Sequence, residues 1–382
     1  MGALAACGGG DASGPSPSLT PSVLALGDRH ACQARPAGTV CWGTGTSGQL
    51  GIGATPADTT PVAIAGDPGF VSLAAGQAHT CGLDAEGGAW CWGSDRDGQL
   101  GLGAPADELC GVFPCATRPR RVAGGHVFRL LTAGQRFTCG LTTDRLVYCW
   151  GLNDTGQLGT AADTDHCEDG RCTRTPLAEA SGRAFATVSA GLSHACALDA
   201  GGTAYCWGWY GLVVAGEHTN ATFDPEATAA PGARFTQLSA GGLHTCGLTD
   251  AGRAWCWGLD AVGAGPTVLE ADHPVEVLGG PSFRAIASAR YTSCGLDADG
   301  MRWCWGPNGS GEVGREPVGT SVRFDQPAAA TGGMRFTTIE PGASSYCGQL
   351  EDGRTACWGS GEFGELGSGT SNSVTPVLVE LP

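Results

Sequence analysis

The residues of this 382-residue chain with the clearest chemistry are its 19 cysteines. Fourteen of them form seven doublets whose members are nine or ten positions apart, and each doublet encloses a strand, a turn and a strand by pattern. In a hairpin over residues 81–91, Cys81 is opposite Cys91, and directly opposed Cα atoms of antiparallel strands lie about 4.5–5.5 Å apart, within reach of a disulfide. The spacing predicts one cross-strand disulfide in each doublet: Cys32–Cys41, Cys81–Cys91, Cys139–Cys149, Cys196–Cys206, Cys246–Cys256, Cys294–Cys304 and Cys347–Cys357.

Four further cysteines form two shorter pairs, Cys110 with Cys115 and Cys167 with Cys172. Two alternatives stay open at this point. Reduced cysteines would serve as small core residues and need no pairing in register, and the four cysteines of the shorter pairs could converge as a zinc site if their thiols were reduced. Because disulfides persist only in oxidising compartments, the paired interpretation predicts an exported, extracytoplasmic protein.

Cys7 is left without a partner, and it ends a short Leu-Ala-Ala-Cys stretch at residues 4–7. This stretch resembles the lipobox at which bacterial lipoproteins are cleaved and acylated on cysteine. A signal peptide needs a longer apolar segment than six residues, so we expect its start to lie upstream. Residues 1–21 are therefore interpreted as a truncated signal and a flexible Ser/Pro/Gly-rich tether, with lipid attachment at Cys7 as the only membrane contact.

Composition excludes several classes of protein. Glycine contributes 65 residues and charged residues only 15% of the chain, which argues against coiled coils and long charged helices. The net charge is −16, and all 21 basic residues are arginine. Nucleic-acid binding needs a basic surface that displaces counterions from phosphates, so we expect no nucleic-acid partner.

A Trp-Gly pair follows the second cysteine of every doublet, at intervals of roughly 50 residues. Units of this length with several short strands and glycine turns are typical of propeller blades. Residues 60–64, 70–75, 79–84 and 89–92 supply four strands of one unit. We therefore predict that residues 22–382 form one all-β domain, a monomeric seven-bladed propeller of four-stranded blades marked by Trp42, Trp92, Trp150, Trp207, Trp257, Trp305 and Trp358.

Two details of assembly follow from the same pattern. The folded part begins with three strands of a unit and finishes with a lone strand at residues 375–379, which we expect to complete the first blade and close the ring. Side chains alternate along a strand, so Trp90 and Trp92 share one face, and that face is expected to pack against the next blade.

Repeated phrases link the chain to a known family. Residues 75–81 (Ala-Gly-Gln-Ala-His-Thr-Cys), the Cys-Trp-Gly at 91–93 and the Gly-Gln-Leu-Gly at 98–101 resemble the regulator of chromosome condensation repeat family, over residues 22–382. The resemblance implies a seven-bladed β-propeller. The founding member binds chromatin and exchanges guanine nucleotide on a small nuclear GTPase, whereas the acidic charge and expected export argue against both roles here. A secreted bacterial β-lactamase inhibitor of similar architecture acts as a protein-binding surface.

Two units carry insertions, between residues 103 and 119 and between residues 159 and 176, and each insertion holds one of the shorter cysteine pairs. Both are expected to follow the last strand of a blade and to emerge at the same end of the propeller from neighbouring blades. An apolar tip beside an acidic loop suits recognition of a protein partner. Calcium binding at the acidic loop is an alternative, although an ordered ligand series is missing. The partner-binding candidates are Val112, Phe113, Asp163, Asp165, His166, Glu168 and Asp169.

Other residues with chemical potential favour structural roles. Four histidines recur two positions before a cysteine, and we interpret them as binding backbone at a turn rather than a metal: His30, His79, His194 and His244. Residues 249–255 resemble the Asp-box turn of sialidases, but this is also ordinary hairpin chemistry.

Neither a nucleophile with its base nor a pair of convergent carboxylates is evident in the sequence. We therefore expect no catalytic residues, no metal and no cofactor. The sequence predicts a non-enzymatic protein-binding scaffold whose partner it does not identify. The alternatives are guanine-nucleotide exchange or GTPase regulation by family analogy, and a glycan-binding or sialidase-like propeller.

Overall fold

The chain folds into antiparallel sheets that follow one another along the sequence. The computed structural model describes residues 23–57, 59–162, 165–209, 213–214, 217–218, 222–228, 233–260, 262–268, 270–320 and 322–382. Seven sheets are the blades of a propeller, which confirms the predicted fold class. Within the described residues, no helix is long and apolar enough to cross a membrane.

The first three blades include the two that carry insertions. Blade 1 comprises β1 (Leu24–Leu26), β2 (His30–Gln33), β3 (Val40–Gly43) and β4 (Thr59–Ala63). Blade 2 comprises β5 (Ser72–Ala75), β6 (His79–Leu83), β7 (Ala89–Ser94), β8 (Glu108–Cys110) and β9 (Phe113–Arg121). Blade 3 comprises β10 (Phe128–Ala133), β11 (Phe137–Thr142), β12 (Val147–Leu152), β13 (Asp165–Cys167) and β14 (Gly170–Ala178).

The remaining blades have four strands each. Blade 4 comprises β15 (Phe185–Ala190), β16 (His194–Asp199), β17 (Ala204–Gly208) and β20 (Thr222–Thr228), with a small hairpin of β18 (Val213–Val214) and β19 (Glu217–His218) before the last strand. Blade 5 comprises β21 (Phe235–Ala240), β22 (His244–Thr249), β23 (Ala254–Leu259) and β24 (Glu270–Glu276). Blade 6 comprises β25 (Phe283–Ser288), β26 (Ser293–Asp297), β27 (Arg302–Pro307) and β28 (Arg323–Ala329). Blade 7 comprises β29 (Glu340–Pro341), β30 (Ser345–Gln349), β31 (Thr355–Ser360) and β32 (Asn372–Leu378).

The division of the chain into blades differs from the predicted one. The strand around Val62 pairs with β3 and is the outermost strand of blade 1, whereas the sequence interpretation made it the first strand of blade 2. Proline explains the difference, because it lacks an N–H to donate and is confined to edge strands. The outermost long strand of every blade contains such a proline: Pro61, Pro119, Pro176, Pro225, Pro274, Pro327 and Pro376.

Closure of the ring also differs from the prediction. The C-terminal strand β32 pairs with β31 in blade 7, where Val377 is opposite Cys357, so the expectation that residues 375–379 complete blade 1 is wrong. Blades 7 and 1 meet through side chains instead. The indole N–H of Trp42 donates to the Glu365 carbonyl at 2.9 Å, and the Thr355 hydroxyl donates to Gln33 Oε1 at 2.9 Å. Because blade 1 has four strands of its own, no strand exchange is needed.

The C-terminal residues still contribute to this junction. Val377, Val379 and Leu381 pack into the cluster that contains Leu24 and Trp42 of blade 1. In a chain ending at residue 374, the free energy of unfolding is therefore expected to fall by roughly 1.5–3 kcal/mol for each large apolar side chain removed from the core. Thermal or denaturant unfolding measures the change. Replacement of the exposed Glu380 by alanine is the control. An unchanged midpoint after truncation would show that the junction does not depend on these residues.

The disulfides and tryptophans form the interfaces between blades. The seven hairpin disulfides join directly opposed residues with Cα atoms 4.0–4.1 Å apart, in the predicted pairing. Cys81 and Cys91 of blade 2 lie in one cluster with Phe128 and Trp150 of blade 3. Each repeated tryptophan thus packs against the preceding blade, not the next one as expected, because the cysteine face points forward along the chain.

Candidate functional site

The two insertions form hairpins that widen blades 2 and 3 to five strands. Strand β8 pairs with the start of β9, and β13 pairs with the start of β14. Each insertion lies between the third and fourth strands of its blade, which corrects the expectation that it follows the last strand. Because the third strands of both blades run in the same sense, the two hairpins leave the propeller at the same end, which we call the insertion face.

The first hairpin presents apolar side chains at its tip. Cys110 and Cys115 staple it with Cα atoms 5.7 Å apart, and Gly111 takes the positive φ of 70° that the two-residue turn requires. Val112 is 79% exposed and Leu109 is 69% exposed, the largest exposures among the large apolar side chains that the structure describes. Leu109 is not among the candidates predicted from sequence, although its place in a short strand beside a polar residue could have indicated an exposed apolar side chain.

Phe113, by contrast, is not an exposed anchor. The guanidinium of Arg96 lies 4.0 Å from the centre of its ring, and Phe113 is only partly exposed. A cation over an aromatic face at this distance is a favourable electrostatic contact. The candidate Phe113 therefore supports the hairpin from beneath, while Val112 and Leu109 face solvent.

The second hairpin carries acidic side chains, and they divide into two groups. All of the described members are exposed, as is His166. The carboxylate of Asp169, unlike those of Asp165 and Glu168, is turned towards blade 2. Its carboxylate accepts from Arg96 at 2.5 Å and also pairs with Arg136. The candidate Asp163 lies outside the described residues.

Arg96 therefore connects the two hairpins, since it touches Phe113 of the first and Asp169 of the second. Arg136 extends the cluster to Asp97, at 3.3 Å. Asp97 has no solvent exposure, and this burial raises the pKa of its carboxyl against the opposing effect of Arg136. The arrangement fixes two insertions from neighbouring blades as one continuous surface.

A buried carboxylate also holds the root of the first insertion. Asp95 accepts hydrogen bonds from the backbone N–H of Leu100 at 3.2 Å and of Ala106 at 2.8 Å. Burial raises the pKa of Asp95 to about 6. The equivalent residue of blade 3 is Asn153, which accepts from Leu158 N–H and donates to the Thr160 carbonyl, so both insertions start from a side chain that ties down the following loop.

The Asp169 cluster leads to a prediction about the second hairpin. Asp169→Asn is expected to remove two ion pairs of a partly exposed network, each worth about 0.2–1 kcal/mol, and to speed amide hydrogen exchange over residues 165–172 by up to about tenfold. Asp165→Asn, at an exposed position of the same hairpin, is the matched control. Equal protection in the two variants would show that Asp169 does not hold the hairpin, and global unfolding is expected to be unchanged in both.

The four recurrent histidines bind hydroxyls of the next blade, which corrects the expectation that they bind backbone at a turn. The Nε2 atoms lie 2.8–2.9 Å from the partner oxygens in the pairs His30–Thr80, His79–Thr138, His194–Thr245 and His244–Ser293. Where the next blade offers alanine at this position, histidine is replaced: Phe137 faces Ala195 in one shared cluster. Burial lowers the pKa of His30 and His194 to about 4 and that of His79 and His244 to about 3, so all four are neutral contacts between blades.

The central channel is a cavity of about 750 Å³ bounded by the innermost strands of all seven blades. Its charged groups at the insertion face include Asp28 and Arg290, which pair at 3.5 Å. Glycine lets neighbouring blades approach closely at this end of the channel, because a Cβ on Gly76 would lie 2.3 Å from the Gly134 carbonyl of the next blade. In the part of the chain that the structure describes, no three or more side chains of metal-ligating type are grouped to hold a metal ion.

The cysteine chemistry points to the surroundings of the protein. All four insertion cysteines pair within their own hairpins, Cys110 with Cys115 and Cys167 with Cys172, and not as a shared metal site. Nine cysteine pairs at disulfide distance indicate an oxidising environment.

Comparison with known proteins places this architecture in a family. The family model described as RCC1-like domain matches residues 38–382. The chain belongs to the RCC1-like domain family. Ultraviolet-B receptor UVR8 of Arabidopsis thaliana is 28% identical over 191 residues, which is 49% of this chain and 40% of the receptor. The chain thus spans less than half the length of this curated RCC1-like relative.

Solved structures of other proteins share the fold. Human WBSCR16 has a TM-score of 0.76 at 19% identity, and the match covers 89% of this chain and 94% of that protein. Yeast RCC1 (Prp20), in its complex with Kap60, has a TM-score of 0.72 at 22% identity, covering 94% of this chain and 85% of that one.

Proposed function

We propose that this RCC1-like propeller is a non-enzymatic scaffold that binds a protein partner outside the cytoplasm. Its contact region is the insertion surface, defined as the exposed side chains of Leu109, Val112, Asp165, His166 and Glu168. The main observation in support is that Arg96 contacts both disulfide-bonded hairpins, while apolar side chains are exposed at the tip of the first hairpin. Yeast RCC1, a protein of the same fold, is known in complex with another protein, Kap60.

The tip is suited to binding because its apolar groups are both exposed and held in place. Transfer of a Val or Leu side chain from water into an apolar pocket is worth roughly 1.5–3 kcal/mol. The disulfide between Cys110 and Cys115 limits the conformations that the tip must give up on binding. Leu109 and Val112 can therefore serve as anchors at low entropic cost.

The location outside the cytoplasm rests on the cysteines. Eighteen of them are paired as nine disulfides in the structure, a pattern that a reducing cytoplasm would not maintain. The proposal also includes lipid attachment at Cys7, and with it a place in a bacterial cell envelope. Cys7 lies outside the described residues. Mass spectrometry of natively expressed protein after alkylation, with and without reduction, tests the oxidised state.

Affinity capture with matched variants tests the binding role. The bait is the full chain, compared with Leu109→Ser/Val112→Ser on the insertion surface and with Val71→Ser/Val127→Ser, two valines 48% exposed at the opposite end of blades 2 and 3. A protein from cell-envelope extract is expected to bind the wild type and the control, and to bind the insertion variant at least tenfold less.

Three other results would contradict this function. A partner that binds all three baits equally would place the contact elsewhere on the propeller. Nucleotide-dependent capture of a GTPase would support the exchange alternative, and retention on glycan resins without a protein partner would support the glycan alternative.

A further inference from the structure

We infer that the partner of the insertion surface presents an apolar pocket bordered by lysine or arginine side chains. This inference rests on the proposed function and adds the chemistry of the partner. It follows from the shape of the first hairpin and from the charges that the two hairpins leave unpaired.

The shape requires a concave partner. Val112 stands in the two-residue turn between Cys110 and Phe113, and Leu109 lies opposite Pro114 on the added edge strand. Both side chains project from a stapled hairpin at 79% and 69% exposure, so the apolar surface is convex. A convex apolar knob loses its contact with water only when the other protein supplies the pocket.

The charge left on this surface is negative. Asp165 and Glu168 are exposed and form no ion pair with any described residue. Three arginines near the hairpins pair with carboxylates of this chain, since Arg96 and Arg136 pair with Asp169 and Arg120 pairs with Asp107 at 2.9 Å. The charge of Asp169 is thus neutralised by arginines of the same chain, while the carboxylates of Asp165 and Glu168 are available to a partner.

The whole molecule reinforces this sign. With a net charge of −16, the propeller attracts cationic proteins and repels anionic ones over distances comparable to the Debye length. Complementary charges at the edge of an interface mainly raise the association rate and select partners. The carboxylates of the second hairpin and the apolar tip of the first therefore recognise different parts of one cationic surface.

A display library of domain-sized fragments, about 150 residues each, from the source organism is the probe. It is selected on the full wild-type chain, on Asp165→Asn/Glu168→Gln, on Leu109→Ser/Val112→Ser, and on the control Glu86→Gln/Asp299→Asn, which removes two exposed carboxylates from the turns at the opposite end. Sequencing measures the enrichment of each fragment at low and at physiological salt. Unchanged melting curves verify that the variants are folded.

The expected fragments carry net positive charge. Their enrichment falls about tenfold on Asp165→Asn/Glu168→Gln, stays within twofold on the control, and decreases as salt rises. Fragments that need Leu109 and Val112 but bind the charge variant as well as the wild type would overturn the inferred partner chemistry and leave the proposed function standing. Fragments that bind every variant equally, including Leu109→Ser/Val112→Ser, would overturn both.

Discussion

Joint replacement of Cys81 and Cys91 by alanine is expected to lower the free energy of unfolding by about 2–5 kcal/mol, as is typical when a native disulfide is removed. The cystine is fully buried and packs against Trp150 of the next blade, so the variant loses core contacts as well as the cross-link. Denaturant unfolding under non-reducing conditions measures the change. The effect is large because one hairpin staple supports two blades at once.

The insertion disulfide supplies the control for this prediction. Cys110 and Cys115 join an added edge hairpin, and Cys110 is partly exposed. Their replacement by serine is expected to loosen the tip while leaving global unfolding nearly unchanged, because an edge hairpin can open locally without breaking the blade. If both double variants shift the unfolding midpoint equally, the distinction between core staples and surface staples is wrong.

Acidification from pH 7 to pH 5 is expected to destabilise the propeller through its four buried histidines. Their folded-state pKa values of about 3–4 lie below the ordinary value of 6.5. The unfolded chain therefore takes up protons first, so the contribution to stability is present above pH 6.5 and is lost as the pH falls towards 4 and below. Linkage gives roughly 2 kcal/mol for each histidine at pH 5. Asp95 and Asp97 act in the opposite direction, because burial raises their pKa values.

A variant copied from the chain itself isolates the histidine effect. Phe137 and Ala195 occupy the place of a histidine and its hydroxyl partner at another blade interface. His79→Phe combined with Thr138→Ala should thus fold, and its loss of stability between pH 7 and pH 5 should be smaller than that of the wild type by roughly 2 kcal/mol. Unfolding curves at both pH values measure the difference. An equal loss in the two proteins would contradict the role of His79.

The structure agrees with the sequence-based predictions where the interactions are local. The spacing of Cys81 and Cys91 defines a hairpin, and the hairpin alone brings these residues into register. Seven repeats of this unit then give the number of blades, because each unit can bury its apolar faces only against its neighbours. The paired state of the cysteines follows from the same short-range geometry.

The division of the repeat into blades is harder to predict from sequence, because a repeating pattern does not show at which strand each blade begins. The strand containing Pro61 could pair backwards with β3 or forwards with β5, and both choices preserve the period. Only the regular proline on one strand of each unit marks the free edge. The position of the C-terminal strand, in blade 7 and not in blade 1, follows from that same choice.

The candidate site shows what sequence alone determines for this protein and what the tertiary structure decides. Composition, cysteine spacing and the Trp-Gly period determined a stapled, acidic, seven-bladed propeller with insertions on two neighbouring blades. The tertiary structure decided that Phe113 lies under Arg96, that Asp169 pairs with Arg96 and Arg136, and that Leu109 and Val112 face solvent. These assignments join residues that are up to 73 positions apart, such as Arg96 and Asp169. A local sequence pattern does not predict which distant charge will be neutralised, because that depends on how neighbouring blades pack against each other.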